Sequence, residues 1–156
     1  METNKNSGKV PQRNCTGELL EELYKNVNMG SASLTNIMPK VKSSELSSEL
    51  TSQLGEYGKF AKQIETELKA NGHEANGEGL MTKISAKMGI EMNTLTDSSD
   101  NHIAQMVIEG TTMGITDTIR LVRDYENSNC RESALSLAKS VVSFQENAVE
   151  RTKAFL

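Results

Sequence analysis

The chain has 156 residues and a formal net charge of -4, enough length for one domain with a buried core and too little for two of ordinary size. The acidic balance argues against a nucleic-acid partner, whose phosphates demand a basic face. Aromatic residues make up 4% of the chain and Trp is absent, so the core must come from Leu, Ile, Val, Ala and Met, which suits helices better than sheets. No apolar run approaches the ~20 residues of a membrane span, and no apolar signal core is found near the N-terminus. Cys15 and Cys130 are too few and too far apart in sequence for a disulfide framework or a zinc site. Together these readings predict a cytoplasmic protein.

Residues 1–14 are polar and carry Gly8 and Pro11, which predicts a flexible tail ahead of a single domain over 15–156. Thr16 is placed to cap a first helix, with Glu18, Glu21 and Glu22 at the positive end of its dipole. From there Leu20, Leu23, Val27, Ser31, Leu34 and Met38 step by three or four along one face, and Pro39 ends the run. Ser43 or Ser44 caps a second helix over about 44–70, striped by Leu46, Leu50, Leu54, Tyr57, Ala61, Ile64 and Leu68, and stopped by Asn71-Gly72. Between Gly72 and Asn101 lies a connection with its own small helix on Leu80, Ile84, Met88, Met92 and Leu95.

A third helix over about 99–126 carries two stripes. One is Ile103, Met106, Gly110, Met113, Asp117 and Leu121; the other is Ile108, Ile115, Ile119 and Val122, so this helix is expected to be the most buried. Asn127-Ser128-Asn129 makes a corner, with Asn129 and Glu132 spaced as a capping box. The last helix runs to the C-terminus on Leu135, Ala138, Val142, Gln145, Val149 and Phe155, widened by Leu137, Val141 and Phe144. The prediction is an all-α four-helix bundle whose long middle connection is able to cross over from one end to the other. A crossover brings Cys15 and Cys130 to the same end; a simple hairpin keeps them apart.

The second helix and its approach read Lys40-Val41-Lys42-Ser43-Ser44-Glu45-Leu46, then Leu54-Gly55-Glu56-Tyr57-Gly58-Lys59-Phe60-Ala61, then Glu65-Thr66-Glu67-Leu68-Lys69. In this pattern it resembles the second helix of a ferritin-like protein of the short bacterial kind. The resemblance implies a ferritin-like bundle. Its metal-binding members supply a Glu from each of two helices and Glu-x-x-His from the other two. Here that motif falls on Tyr57-Gly58-Lys59-Phe60, with Tyr for Glu and Phe for His, and near Glu146-Asn147-Ala148-Val149, again without His. Tyr24, Val27 and Asn28 stand where helix one would give its Glu, and Glu109 alone remains as a ligand type. No metal, no cofactor and no di-iron chemistry is therefore expected.

Other spacings are weaker. Gly77-x-Gly79 follows no strand, so a dinucleotide loop is not indicated, and Gly110-x-x-x-Gly114 sits among residues too polar for a bilayer. Cys15 is read as an incidental exposed thiol. Five glycines inside helices, Gly30, Gly55, Gly58, Gly110 and Gly114, each cost ~1 kcal/mol against Ala. They are read as close-approach positions around a mid-bundle waist formed by Tyr24, Gly30, Tyr57, Gly58, Phe60, Gly110, Met113, Asp117, Phe144 and Gln145. A contact from Tyr57 to Asp117 or Gln145 is expected there. The functional expectation is a non-catalytic structural or protein-interaction module, forming a homodimer or binding an unknown protein partner, without nucleic acid, membrane or metal. The alternative is a small-molecule pocket at the waist.

Overall fold

A computed structural model of the chain describes residues 12–72 and 95–156. The residue 1–11 part of the expected tail, Gly77-x-Gly79 and nearly all of the expected small helix lie outside the described residues. The described residues form four long helices and no strands: α1 (Gln12–Ile37), α2 (Ser44–Ala70), α3 (Asp100–Tyr125) and α4 (Glu132–Thr152). Short 3-10 turns follow α1 at Met38–Lys40 and α4 at Lys153–Phe155.

The ends follow local chemistry. Pro39 cannot continue the α1 hydrogen-bond ladder, and α1 gives way to the 3-10 turn just before it. Ser43 accepts the Leu46 N–H at 3.1 Å, which satisfies an orphan donor of α2. Gly72 takes φ +73° after α2, a left-handed conformation that a Cβ disfavours. Ser99 caps α3 by accepting the His102 N–H. Two expected caps fail. Thr16 lies inside α1, which begins earlier at Gln12, and α4 is preceded by Arg131 with no side-chain cap, so the Asn129–Glu132 box does not form.

In the bundle α1 packs on α2 and α3, and α4 packs on α3 and α2, with α1 and α4 also meeting across the diagonal. Side-chain bonds fix the directions. Arg151 near the end of α4 reaches Glu49 near the start of α2 at 2.8 Å. Tyr125 at the end of α3 donates to Glu18 near the start of α1 at 3.1 Å. Ser133 at the start of α4 donates to Glu67 near the end of α2 at 3.2 Å. Neighbouring helices are thus antiparallel, and α2 and α3 start at the same end. A broad open depression of about 690 Å³ at that end is lined by Lys42 and Ser43 on one side and by Thr96 to Asp100 on the other. The chain between α2 and α3 therefore joins opposite ends of a bundle roughly 40 Å long at 1.5 Å per residue.

The crossover has the consequence expected of it: Cys15 and Cys130 meet, and they form a disulfide across a Cα–Cα distance of 5.4 Å. Sequence distance is a poor guide here, because the crossover topology folds a separation of 115 residues into one end of the molecule. Cys15 is buried in that bond and is not an incidental surface thiol.

The core runs through Leu19, Leu20, Leu23 and Val27 of α1, Leu46, Leu50, Tyr57, Ile64 and Leu68 of α2, Ile103 and Val107 of α3, and Ala138, Val141 and Phe144 of α4. Helix α3 is not the most buried. It buries Ile103, Ala104, Val107 and Thr118, whereas α4 buries eight residues. The inward line of α3 passes through Ile103, which heads the first expected stripe, and then Val107, Thr111, Gly114 and Thr118; the rest of that stripe and the second stripe lie on its flanks.

Candidate functional site: a polar relay at the waist

Tyr57 is 2% exposed and sits at the centre of the bundle. Its ring meets Phe144 edge-on at 4.9 Å between centroids, and Phe144 in turn packs against Phe60 at 5.5 Å. Edge-to-face geometry sets the positive rim of one ring on the negative face of the other. Gly30 of α1 lies under Tyr57: a Cβ added there falls 2.5 Å from Tyr57 Cζ and 2.7 Å from its hydroxyl. The missing side chain of α1 is therefore the space that the tyrosine occupies.

Around the phenol runs a chain of neutral hydrogen bonds that touches all four helices. Asn26 Nδ2 of α1 donates to the Gly114 carbonyl of α3 at 3.0 Å. Asn26 Oδ1 accepts from Gln145 Nε2 of α4 at 3.0 Å. The same Gln145 nitrogen donates to the Tyr57 hydroxyl of α2 at 3.4 Å. The direction is set at Gly114, because a carbonyl only accepts. That turns the Asn26 amide nitrogen outward to it and leaves the Asn26 oxygen for Gln145. Gly114 leaves room for the relay, since a Cβ there lies 2.8 Å from Gln145 Nε2 and 3.4 Å from Asn26 Oδ1 and would push the flexible Gln145 amide aside.

Burial pushes the Tyr57 phenol above its ordinary pKa, opposed by hydrogen bonds from Gln145 and Thr111. A raised pKa keeps it a neutral phenol at neutral pH, a hydrogen-bonding group and not a base. Tyr24, on the α1 edge facing α2, is half-buried and donates to Glu65 at 2.7 Å. Its pKa is also raised, first by burial and then by the Glu65 carboxylate, with a hydrogen bond from Asn28 opposing. A second buried polar tie closes the far end of the α2–α4 pair, where Gln53 Nε2 donates to Thr152 Oγ1 at 2.9 Å.

Of the expected waist residues, Gly30, Tyr57, Phe60, Phe144 and Gln145 come together and the expected Tyr57–Gln145 contact is made, whereas Tyr24 packs on the same core but bonds Glu65, two turns along α2 from Tyr57. Four do not belong. Gly58 and Gly110 are exposed, with nothing within 4 Å of an added Cβ. Met113 is 69% exposed and Asp117 points to solvent. The physical reason is helical phase: these four sit away from the inward line of their own helices. The alignment of helix four is also off by one, since Gln145 and Ala148 are buried while Glu146 is exposed. The retained acid type, Glu109, is exposed and accepts from Gln105 on its own helix. Among the described residues no group of three His, Cys, Asp or Glu is placed to hold a metal ion.

The residues missed from sequence are Asn26 and Thr111. Asn26 precedes the apolar Val27 and reads as a solvent position; Gly114, expected as a close-approach glycine, is one, although it was not placed among the waist residues. Near this bridge two large apolar side chains are exposed: Met29, one turn from Asn26, and Met113, next to Gly114.

Residues 16–124, well over half of the chain, match the family described as a domain of unknown function, DUF2383. No curated protein and no solved structure matches the chain.

Proposed function

We propose that this chain, which belongs to the DUF2383 family, is a non-catalytic, metal-free ferritin-like bundle that serves as a structural or protein-interaction module and pairs with a second copy of itself through the outer α1–α3 face. The observation that carries the reading is the waist. Where a ferritin-like metal site needs inward carboxylates and imidazoles, Tyr57, Phe60, Gln145 and Ala148 face the interior, and the Tyr57 hydroxyl and the Gln145 amide nitrogen are joined in a neutral relay, while the Gln145 Oε1 is buried without a hydrogen-bond partner. A buried neutral network fixes the register of helices and offers no titrating acid, base or nucleophile at neutral pH.

The packing also weighs against the alternative of a small-molecule pocket at the waist, because the Tyr57 ring fills the space over Gly30. Interaction falls to the surface, where Met29 of α1 and Met113 of α3 are exposed and a Cβ on Gly110 would meet nothing. Flexible, polarisable methionines suit an adaptable contact surface. Among the described residues no helix is long and apolar enough to cross a membrane. A disulfide that closes a separation of 115 residues is a feature of oxidising compartments and speaks against the cytoplasmic setting expected from the sequence.

Two measurements test the reading. Native mass spectrometry of the purified chain is expected to give a dimer that Met113→Glu converts to monomer; a wild-type monomer overturns the pairing. Metal analysis is expected to give far less than one equivalent of iron or manganese, and a stoichiometric content lost on Gln145→Leu overturns the metal-free assignment.

A further inference from the structure

We propose that the Cys15–Cys130 bridge is a reversible redox latch, attacked at Cys130, that holds the first turns of α1 on the α3–α4 corner without supporting the rest of the bundle. The two sulfurs differ in access. Cys15 is 7% exposed and belongs to the core. Cys130 is half-buried and directly follows a turn in which residues 126–129 are all exposed. Exchange proceeds at the reachable sulfur and expels the other as a thiolate, so access selects attack at Cys130.

The step balances with a thiol reductant such as glutathione or a protein dithiol. A reductant thiolate attacks Cys130 Sγ, the sulfur–sulfur electron pair passes to Cys15 Sγ, and Cys15 takes up a proton. A second reductant thiolate attacks the reductant sulfur of the mixed disulfide, and Cys130 leaves and is protonated. The chain gains two electrons and two protons while two thiols become one disulfide. Oxidation is the reverse, with a disulfide as electron acceptor.

The effect of reduction is confined by what else holds that end. Beside the bridge lie the Arg131 N–H donated to Thr16 at 3.0 Å and the Tyr125–Glu18 bond at 3.1 Å, the second of them exposed. From Leu19 onward α1 is held by the fully buried Leu19, Leu20 and Leu23, and further along by the relay through Asn26. Opening the bridge therefore frees the first turns of α1 and the corner, and stops at Leu19.

Two experiments on the full chain test this. In hydrogen exchange, reduction by glutathione is expected to speed the amides of residues 15–18 and 126–131 by roughly tenfold or more, the scale of local opening, while residues 103–107 and 141–148 keep their protection. Equal loss everywhere makes the bridge a global staple, and no change anywhere makes it incidental; either overturns the proposal. In the second, Cys15→Ser and Cys130→Ser leave one thiol each, and oxidised glutathione labels whichever remains. Labelling of Cys130 is expected to be about tenfold faster or more than that of Cys15, as access dictates; equal or reversed rates overturn the assignment of the attacked sulfur.

Discussion

Gly30 and Gly58 lie near the middle of adjacent helices and share the same intrinsic cost, but their surroundings are opposite. A methyl group on Gly30 enters the ring of Tyr57 at 2.5 Å, whereas one on Gly58 meets nothing within 4 Å. The first glycine is required by packing. The second spends helix propensity with no contact in the bundle to offset it. The difference shows that the waist is built by one helix giving up a side chain so that a neighbour can place an aromatic there.

The hardest way to break this contrast is Gly30→Ala. The Tyr57 ring cannot yield easily, because Phe144 holds it edge-on and the core surrounds it. The expected cost is about 3 kcal/mol, the upper range for overpacking, or a Tm lower by roughly 10 °C in a domain of this size. Urea unfolding followed by circular dichroism measures it; a neutral Gly30→Ala removes the close approach of α1 to Tyr57.

Next in size is Gln145→Leu. It deletes the donor shared by Asn26 and Tyr57, leaving both without that bond inside the bundle. A cost of about 2 kcal/mol is expected from the buried groups left unpaired. Combining it with Tyr57→Phe is expected to cost less than the sum, since the two changes remove one shared bond. Additive losses place the two side chains in separate networks.

The Tyr57 phenol supplies a pH test of the same centre. Its folded pKa is raised above the unfolded value near 10, so the buried neutral form contributes stability that is fully present below pH ~10 and lost as pH rises through the folded pKa. The urea midpoint of wild type is expected to fall more steeply above pH ~10 than that of Tyr57→Phe. Parallel profiles show that Tyr57 is not the buried titrating group.

These effects explain what the sequence does and does not disclose. Helix ends carried by one residue's chemistry are legible: Pro39, Ser43 and Gly72 act where expected. So is Tyr57, an aromatic on a clean leucine stripe. The inward face of α3 is not, because at the waist it is made of Thr111, Gly114 and Thr118. Periodicity follows apolar residues, and so it selected the flanking stripes and drew Gly110, Met113 and Asp117 inward by mistake. Asn26 is hidden for the same reason, since only the tertiary position of the Gly114 carbonyl makes an asparagine there an interior residue. The disulfide was illegible until the crossover was known, because helix direction and not sequence spacing brings the sulfurs together.

At the exposed glycines the expected sign reverses. Gly58→Ala and Gly110→Ala each fill open space on a helix surface, so propensity alone acts and each is expected to stabilise by about 0.5–1 kcal/mol. A thermal melt of the two single variants measures it. A loss at Gly110 in a dimeric sample, absent under monomer conditions, places that glycine in the α1–α3 contact between copies.

Gly114 lies between these extremes, and the smallest net effect is expected there. Ala gains about 1 kcal/mol of helix propensity, but its Cβ stands 2.8 Å from Gln145 Nε2. That atom is the far end of a flexible side chain, unlike the ring above Gly30, and it can withdraw by a few tenths of an ångström. Withdrawal stretches the bond to Asn26, now 3.0 Å, and the one to Tyr57, already 3.4 Å. Propensity gain and relay loss are of the same order, so Gly114→Ala is expected within about 1 kcal/mol of wild type. The relay is what opposes the gain: in a Gln145→Leu background the polar contact is gone and the Gly114→Ala effect is expected to shift by about 1 kcal/mol relative to wild type, the scale of coupling between touching residues. An unchanged effect in that background separates Gly114 from the relay and leaves only the Asn26 bond to join α1 with α3 at the waist.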